Sequence, residues 1–115
     1  MNIESLTTEL LRLSALLDDA LGYLRRSVGE YAAAEAAYRQ EKAKAWLTAP
    51  AGTVAEKEAH VNGSTAELRK QRDLADGMRQ AALEAVRSRR AQLSALQSIA
   101  AAHREEAAFD RTGPR

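Results

Sequence analysis

A single interruption divides the chain. The stretch Ala43-Lys44-Ala45-Trp46-Leu47-Thr48-Ala49-Pro50-Ala51-Gly52-Thr53-Val54-Ala55-Glu56-Lys57-Glu58-Ala59 holds the only tryptophan and one of the two prolines, and it lies between two long stretches of helical spacing. Proline disfavours the helical region for the residue before it, and glycine accepts backbone angles that other residues avoid. Ala49-Pro50-Ala51-Gly52 therefore ends one helix. Thr53-Val54-Ala55-Glu56 has the capping-box pattern that starts another, in which the threonine oxygen accepts from the amide three residues on and the glutamate reaches back. Trp46 is expected to pack under this turn against Pro50 and Val54, because tryptophan usually buries much of its surface. A short connection between two helices makes them antiparallel neighbours.

Before the turn, apolar or small residues recur at Ile3, Leu6, Leu10, Leu13, Leu17, Ala20, Leu24, Val28, Tyr31, Ala34, Tyr38 and Ala45. Steps of three and four place them on one helical face. After it, Val61, Thr65, Leu68, Ala75, Ala82, Val86, Leu93, Leu96 and Ala100 keep the same rhythm. The spacing predicts helix 1 over about 3–48, a turn at 49–53 and helix 2 over about 54–108, in one domain spanning 1–109, with 110–115 as a disordered tail. Asn62-Gly63 is a turn dipeptide, and Ser64-Thr65-Ala66-Glu67 is a second capping pattern. A kink at 62–65 is the alternative to an unbroken second helix.

Alanine, leucine and charged residues dominate, and aromatics make up 4% of the 115 residues, which favours an all-α chain without strands. The expected fold is a long antiparallel helical hairpin, coiled-coil-like. Leu11, Leu16 and Leu21 widen the first stripe beyond a two-position seam. A hairpin alone would leave these residues and the Leu93, Leu96 and Ile99 group partly exposed, so assembly into an oligomeric helix bundle, a dimer or larger, is expected. Its interface is assigned to Leu10, Leu13, Leu17, Leu24, Leu93 and Leu96.

The residue types for chemistry are sparse. Cysteine is absent, which excludes disulfides and cysteine-ligated metals. His60 and His103 lie far apart, and zinc would need three or four convergent ligands. Asp18-Asp19 and Glu105-Glu106 are adjacent pairs whose members point to different helix faces, which argues against joint acid-base work. No phosphate loop or nucleophile elbow occurs. The reading is non-enzymatic, with no cofactor. No apolar run approaches the roughly 18 to 20 residues that span a bilayer, and no leader is evident, so no membrane contact and a cytoplasmic location are expected.

The net charge of +1 makes no global case for nucleic acid. Locally the case is stronger. From Arg69 to Arg104 eight basic residues face three acids, and Arg69, Arg72, Arg79 and Arg90 fall broadly on one side with Arg87 close by. Arg69, Arg72, Arg79, Arg87, Arg89 and Arg90 are the candidate phosphate-contacting residues, in a sequence-indifferent mode whose affinity falls steeply with salt. The competing reading is a solvated face, or one paired with acids such as Glu30 and Glu35. The tyrosines and Trp46 all lie on helix 1, away from this patch, so stacking of single strands is not expected.

The residues Tyr38, Ala45-Trp46-Leu47, Gly52 to Ala59, Leu68 and Arg90-x-x-Leu93-x-x-Leu96-Gln97-Ser98 resemble a family of small uncharacterised all-helical proteins encoded by phages and prophages of actinobacteria and other Gram-positive hosts. The resemblance covers most of the chain and carries over no catalytic residue. It implies a host-cell cytoplasmic setting and an accessory role in DNA replication or recombination, through nucleic acid or a partner protein. The alternative is a structural or anti-host-defence protein that sequesters a host protein or small nucleotide. Asn62-Gly63 departs from the family pattern.

Overall fold

A computed structural model describes residues 2–112, which are all-helical, with no strand among them. Helix α1 runs Ile3–Thr48, α2 Val54–Ser64 and α3 Ala66–Thr112. Residues 113–115 of the expected tail lie outside the described residues, and its first part is not a tail, because α3 continues through Asp110 to Thr112.

Local chemistry sets each end. Asn2 caps α1, its side-chain oxygen accepting from the Ser5 amide at 2.7 Å. At the other end the Thr48 hydroxyl donates to the Lys44 carbonyl at 2.9 Å, which satisfies one acceptor that a helix terminus leaves open. Thr53 caps α2 by accepting from the Glu56 amide at 3.1 Å. The Glu56 carboxylate does not complete the reciprocal half of the box. It lies over Gly52, where an added Cβ would meet its Oε2. No glycine among the described residues has a positive φ, so Gly52 contributes space rather than an unusual backbone angle.

The second helix is interrupted at one residue, Thr65, with φ −109° and ψ 6°. The Thr65 amide and hydroxyl both donate to the Val61 carbonyl, at 3.1 and 2.7 Å. Ser64 does the same to His60 at 2.8 Å. Two consecutive hydroxyls bonding back to carbonyls four residues earlier are a known cause of local helix distortion. Arg69 then donates to the Thr65 carbonyl at 2.9 Å and the ladder resumes. The interruption therefore follows from the hydroxyl pair, which lies directly after the Asn62-Gly63 dipeptide.

The chain divides into two compact units, residues 2–23 with 83–112 and Leu24–Ala82. In the second, the last half of α1 runs antiparallel to the start of α3, with Tyr31 beside Arg79 and Tyr38 beside Arg72. At its turn end Ala45, Val61 and Thr65 are buried, whereas Trp46 is 39% exposed and Val54 68%. The small residue Ala45, one step before Trp46, holds the fully buried position at this end.

In the first unit Leu6, Leu13 and Leu96 form a buried cluster, with Leu10, Leu16 and Leu93 packed against it. Of the leucines assigned to an interface, Leu13 and Leu96 are therefore buried within the chain itself. Leu10, Leu17, Leu24 and Leu93 are half-buried. Of the leucines expected to be left over, only Leu11 stays largely uncovered, together with Ile99. Leu13→Ala should therefore cost about 2–4 kcal/mol of unfolding free energy in a urea titration, and Leu11→Ala within about 0.5 kcal/mol. Equal costs would contradict the intrachain core.

Candidate functional site

The inward positions obey a stricter rule than a general helical stripe. Positions 61, 65, 68, 72, 75, 79, 82, 86, 89, 93, 96, 100 and 103 advance by four and three in strict alternation, and every one is buried or half-buried. On α1 the same rule runs through 6, 10, 13, 17, 20, 24, 27, 31, 34 and 38. This is a seven-residue repeat with two inward positions, the pattern that keeps one face of a helix turned to its neighbour. Two corrections follow. Ser27, 2% exposed, holds the seam position on α1 and Val28, 47% exposed, does not. On α3 three of the seam residues are arginines, Arg72, Arg79 and Arg89, which had been assigned to a phosphate-binding face.

Arg72 and Arg79 are engaged within Leu24–Ala82. The Arg72 guanidinium sits 4.4 Å from the centre of the Tyr38 ring, donates to Asp73 at 2.9 Å, and lies 3.6 Å from Glu35 Oε2. Its hydrogen bond to the Asp73 carboxylate, with the negative charge of Asp73 and Glu35 nearby, raises its pKa further above the range where arginine could lose its proton. Glu35 Oε1 accepts from Arg39 at 2.7 Å, while its buried Oε2 has an ion-pair neighbour in Arg72 but no hydrogen bond. Arg79 repeats the arrangement two turns on, 5.0 Å from the Tyr31 ring centre and 2.5 Å from Asp76. The long arginine stem covers apolar surface while the head group reaches the edge of the seam. These tyrosines are the partners that α1 offers to the arginines, so the aromatic and basic sets that looked separate in sequence meet in space.

The other candidates are differently placed. Arg69 is half-buried in the same unit. Arg87, Arg89 and Arg90 belong to the unit of 2–23 and 83–112, where Arg87 is exposed and donates to Glu84 at 2.7 Å. Arg89 donates to Gln92 at 3.2 Å. Arg90 is exposed and has no side-chain partner among the described residues. The six arginines are thus divided between two units, three in each. Neither unit is strongly basic, since Leu24–Ala82 carries ten basic and eight acidic side chains and the other unit six and eight.

On the surface, Glu9 accepts twice from the Arg12 guanidinium, which holds its carboxyl below the usual carboxylate range and raises the arginine. A lowered acid contributes stability at neutral pH that is lost as pH falls through its folded-state value. Such an exposed pair contributes little.

No group of three or more metal-ligating side chains gathers among the described residues, and none of their helices is long and apolar enough to cross a membrane. No protein-family model matches the chain, and no curated protein or solved structure does.

Arg79→Ala should lower unfolding free energy by about 1 kcal/mol through the lost ring contact and packing. Arg90→Ala should leave it within about 0.5 kcal/mol. Thermal or urea denaturation of the two variants distinguishes a seam arginine from a surface one, and equal stabilities would remove the structural role assigned to Arg79.

Proposed function

We propose that the protein is a non-enzymatic binding protein that works as a homo-oligomer, and that its contacts are made by large apolar side chains left outside the helical seam. The supporting observation is their exposure. Leu47 is 87% exposed, Leu11 and Val54 68%, Ile3 67%, Phe109 66% and Leu74 60%. Single exposed apolar residues are ordinary, but this many in a chain with so few large apolar residues favours protein contact over a free existence. A partner protein in place of a second copy would use the same side chains. The resemblance to small phage and prophage proteins is part of this proposal, with the host-cell cytoplasm as its setting. Sequestration of a host protein remains the alternative use of the same surface.

A second reading is contact with nucleic-acid phosphates. It is favoured by Arg90, which is exposed and unpaired, and by its neighbour Arg87, held only by an exposed pair with Glu84. Arg72 and Arg79 leave this reading, because their guanidinium groups are committed to tyrosine rings and carboxylates. With about two or three phosphate contacts, log affinity should fall with log salt at a slope of only about −2 to −3 on duplex DNA. Fluorescence anisotropy with a short duplex, at increasing salt, measures that slope. Arg90→Ala should weaken binding and Arg79→Ala should not. An absence of binding at low salt would end this reading and leave protein contact alone.

A further inference from the structure

The unit of 2–23 and 83–112 carries a recess and a knob of matching chemistry. The recess, about 140 Å³, is lined by Ile3, Leu6, Thr7 and Leu10 of α1 and by Ala100, His103 and Arg104 of α3. Four of these seven residues are apolar, and Arg104 has no ion-pair partner among the described residues. The knob is Phe109, 66% exposed and the only phenylalanine in the chain. It shares its surroundings with Glu105, Glu106 and Asp110, three acids that also have no ion-pair partner among the described residues.

We infer that the acid-flanked Phe109 of one copy docks in the recess of a second copy, with its carboxylates against Arg104. Size supports the match, since an apolar cavity of about 150 Å³ accommodates a benzene ring. Charge supports it as well, because an unpaired cation borders the recess and unpaired anions border the ring. A shared apolar contact bounded by opposite charges is the arrangement that fixes both affinity and orientation at an interface.

The geometry also determines the kind of assembly. Arg104 and Phe109 are five residues apart on α3, so their side chains leave the helix about 140° apart. One two-fold contact cannot use both from each copy. The association is therefore head-to-tail, with each chain offering a knob to one neighbour and a recess to another. It grows past two chains unless it closes as a ring.

The inference rests on the self-association proposed above and assigns it a contact, and complementary variants test the two separately. Phe109→Ala removes the knob and keeps the recess, and Arg104→Glu spoils the recess and keeps the knob. Both residues are exposed, and circular dichroism should show unchanged helix content. In sedimentation velocity over a range of concentrations, the wild type should form species larger than two chains. Each variant alone should need at least about tenfold higher concentration to associate, since one desolvated anchor is worth 1.4 kcal/mol or more. An equimolar mixture should regain one good contact and stop at two chains. A Phe109→Ala protein that associates like the wild type overturns this contact and leaves self-association standing. A mixture no better than either variant also overturns it. A wild type that stays monomeric at every concentration overturns both proposals.

Discussion

The alternation of three- and four-residue steps along both long helices is the constraint from which the rest of the structure follows. A helix has 3.6 residues per turn, so a face that recurs every seven residues stays turned to one neighbour only if it packs continuously. Here that face is narrow and its side chains are small or medium. Ala34, Ala45, Ala75 and Ala82 allow close approach, and Leu6, Leu13, Tyr38, Val61, Val86 and Leu96 are the larger buried apolar side chains. With so little apolar mass inside, each seam position matters more than it would in a broad core.

That scarcity explains why arginine can occupy an inward position. A buried charge is costly unless paired, but an arginine at the margin of a two-helix seam leaves its head group near water and covers a tyrosine ring with its plane. Tyr38 with Arg72 and Tyr31 with Arg79 make two such layers, each tied to a carboxylate on α3. A polar residue at a seam position helps fix which layer faces which, because sliding by one repeat would keep only one arginine on a tyrosine and would move the other against Ala45 or Leu24. The functional consequence is subtraction. Two of the candidates for phosphate contact are occupied between the helices, and the surface that remains available mixes exposed apolar side chains with basic and acidic residues in near balance.

Much of the fold was legible in the residues. Helical periodicity and the lack of β-branched and aromatic residues pointed to an all-α chain, and Thr53 does cap the second helix. The failures share a cause. A stripe drawn through apolar residues skips polar seam members, so it passed over Ser27, Arg72, Arg79 and Arg89 and drew in Val28, whose hydrophobicity outweighed its position. Enforcing the alternation of four and three would have recovered all of them. The same preference for bulk led to Trp46 as the residue closing the turn, where Ala45 holds the inward position. Leu13 and Leu96 could not be told from outward-facing leucines, because nothing in a one-dimensional stripe says how much of it the neighbouring helix covers. The half-formed cap at Glu56 and the one-residue interruption at Thr65 depend on competition among hydrogen bonds of similar strength, which spacing cannot rank.

The central claim is that the second half of α1 and the start of α3 pack within one chain in the register set by the tyrosine-arginine layers. Ala34 and Ala75 are the seam positions between those layers, and the chain has no native cysteine. In the double variant Ala34→Cys/Ala75→Cys, mild oxidation in dilute solution followed by non-reducing electrophoresis should give a cross-link inside single chains, because opposed seam positions bring Cβ atoms within disulfide reach. A variant that fails to cross-link, or that links only between two chains, would contradict the intrachain seam and return Arg72 and Arg79 to the surface.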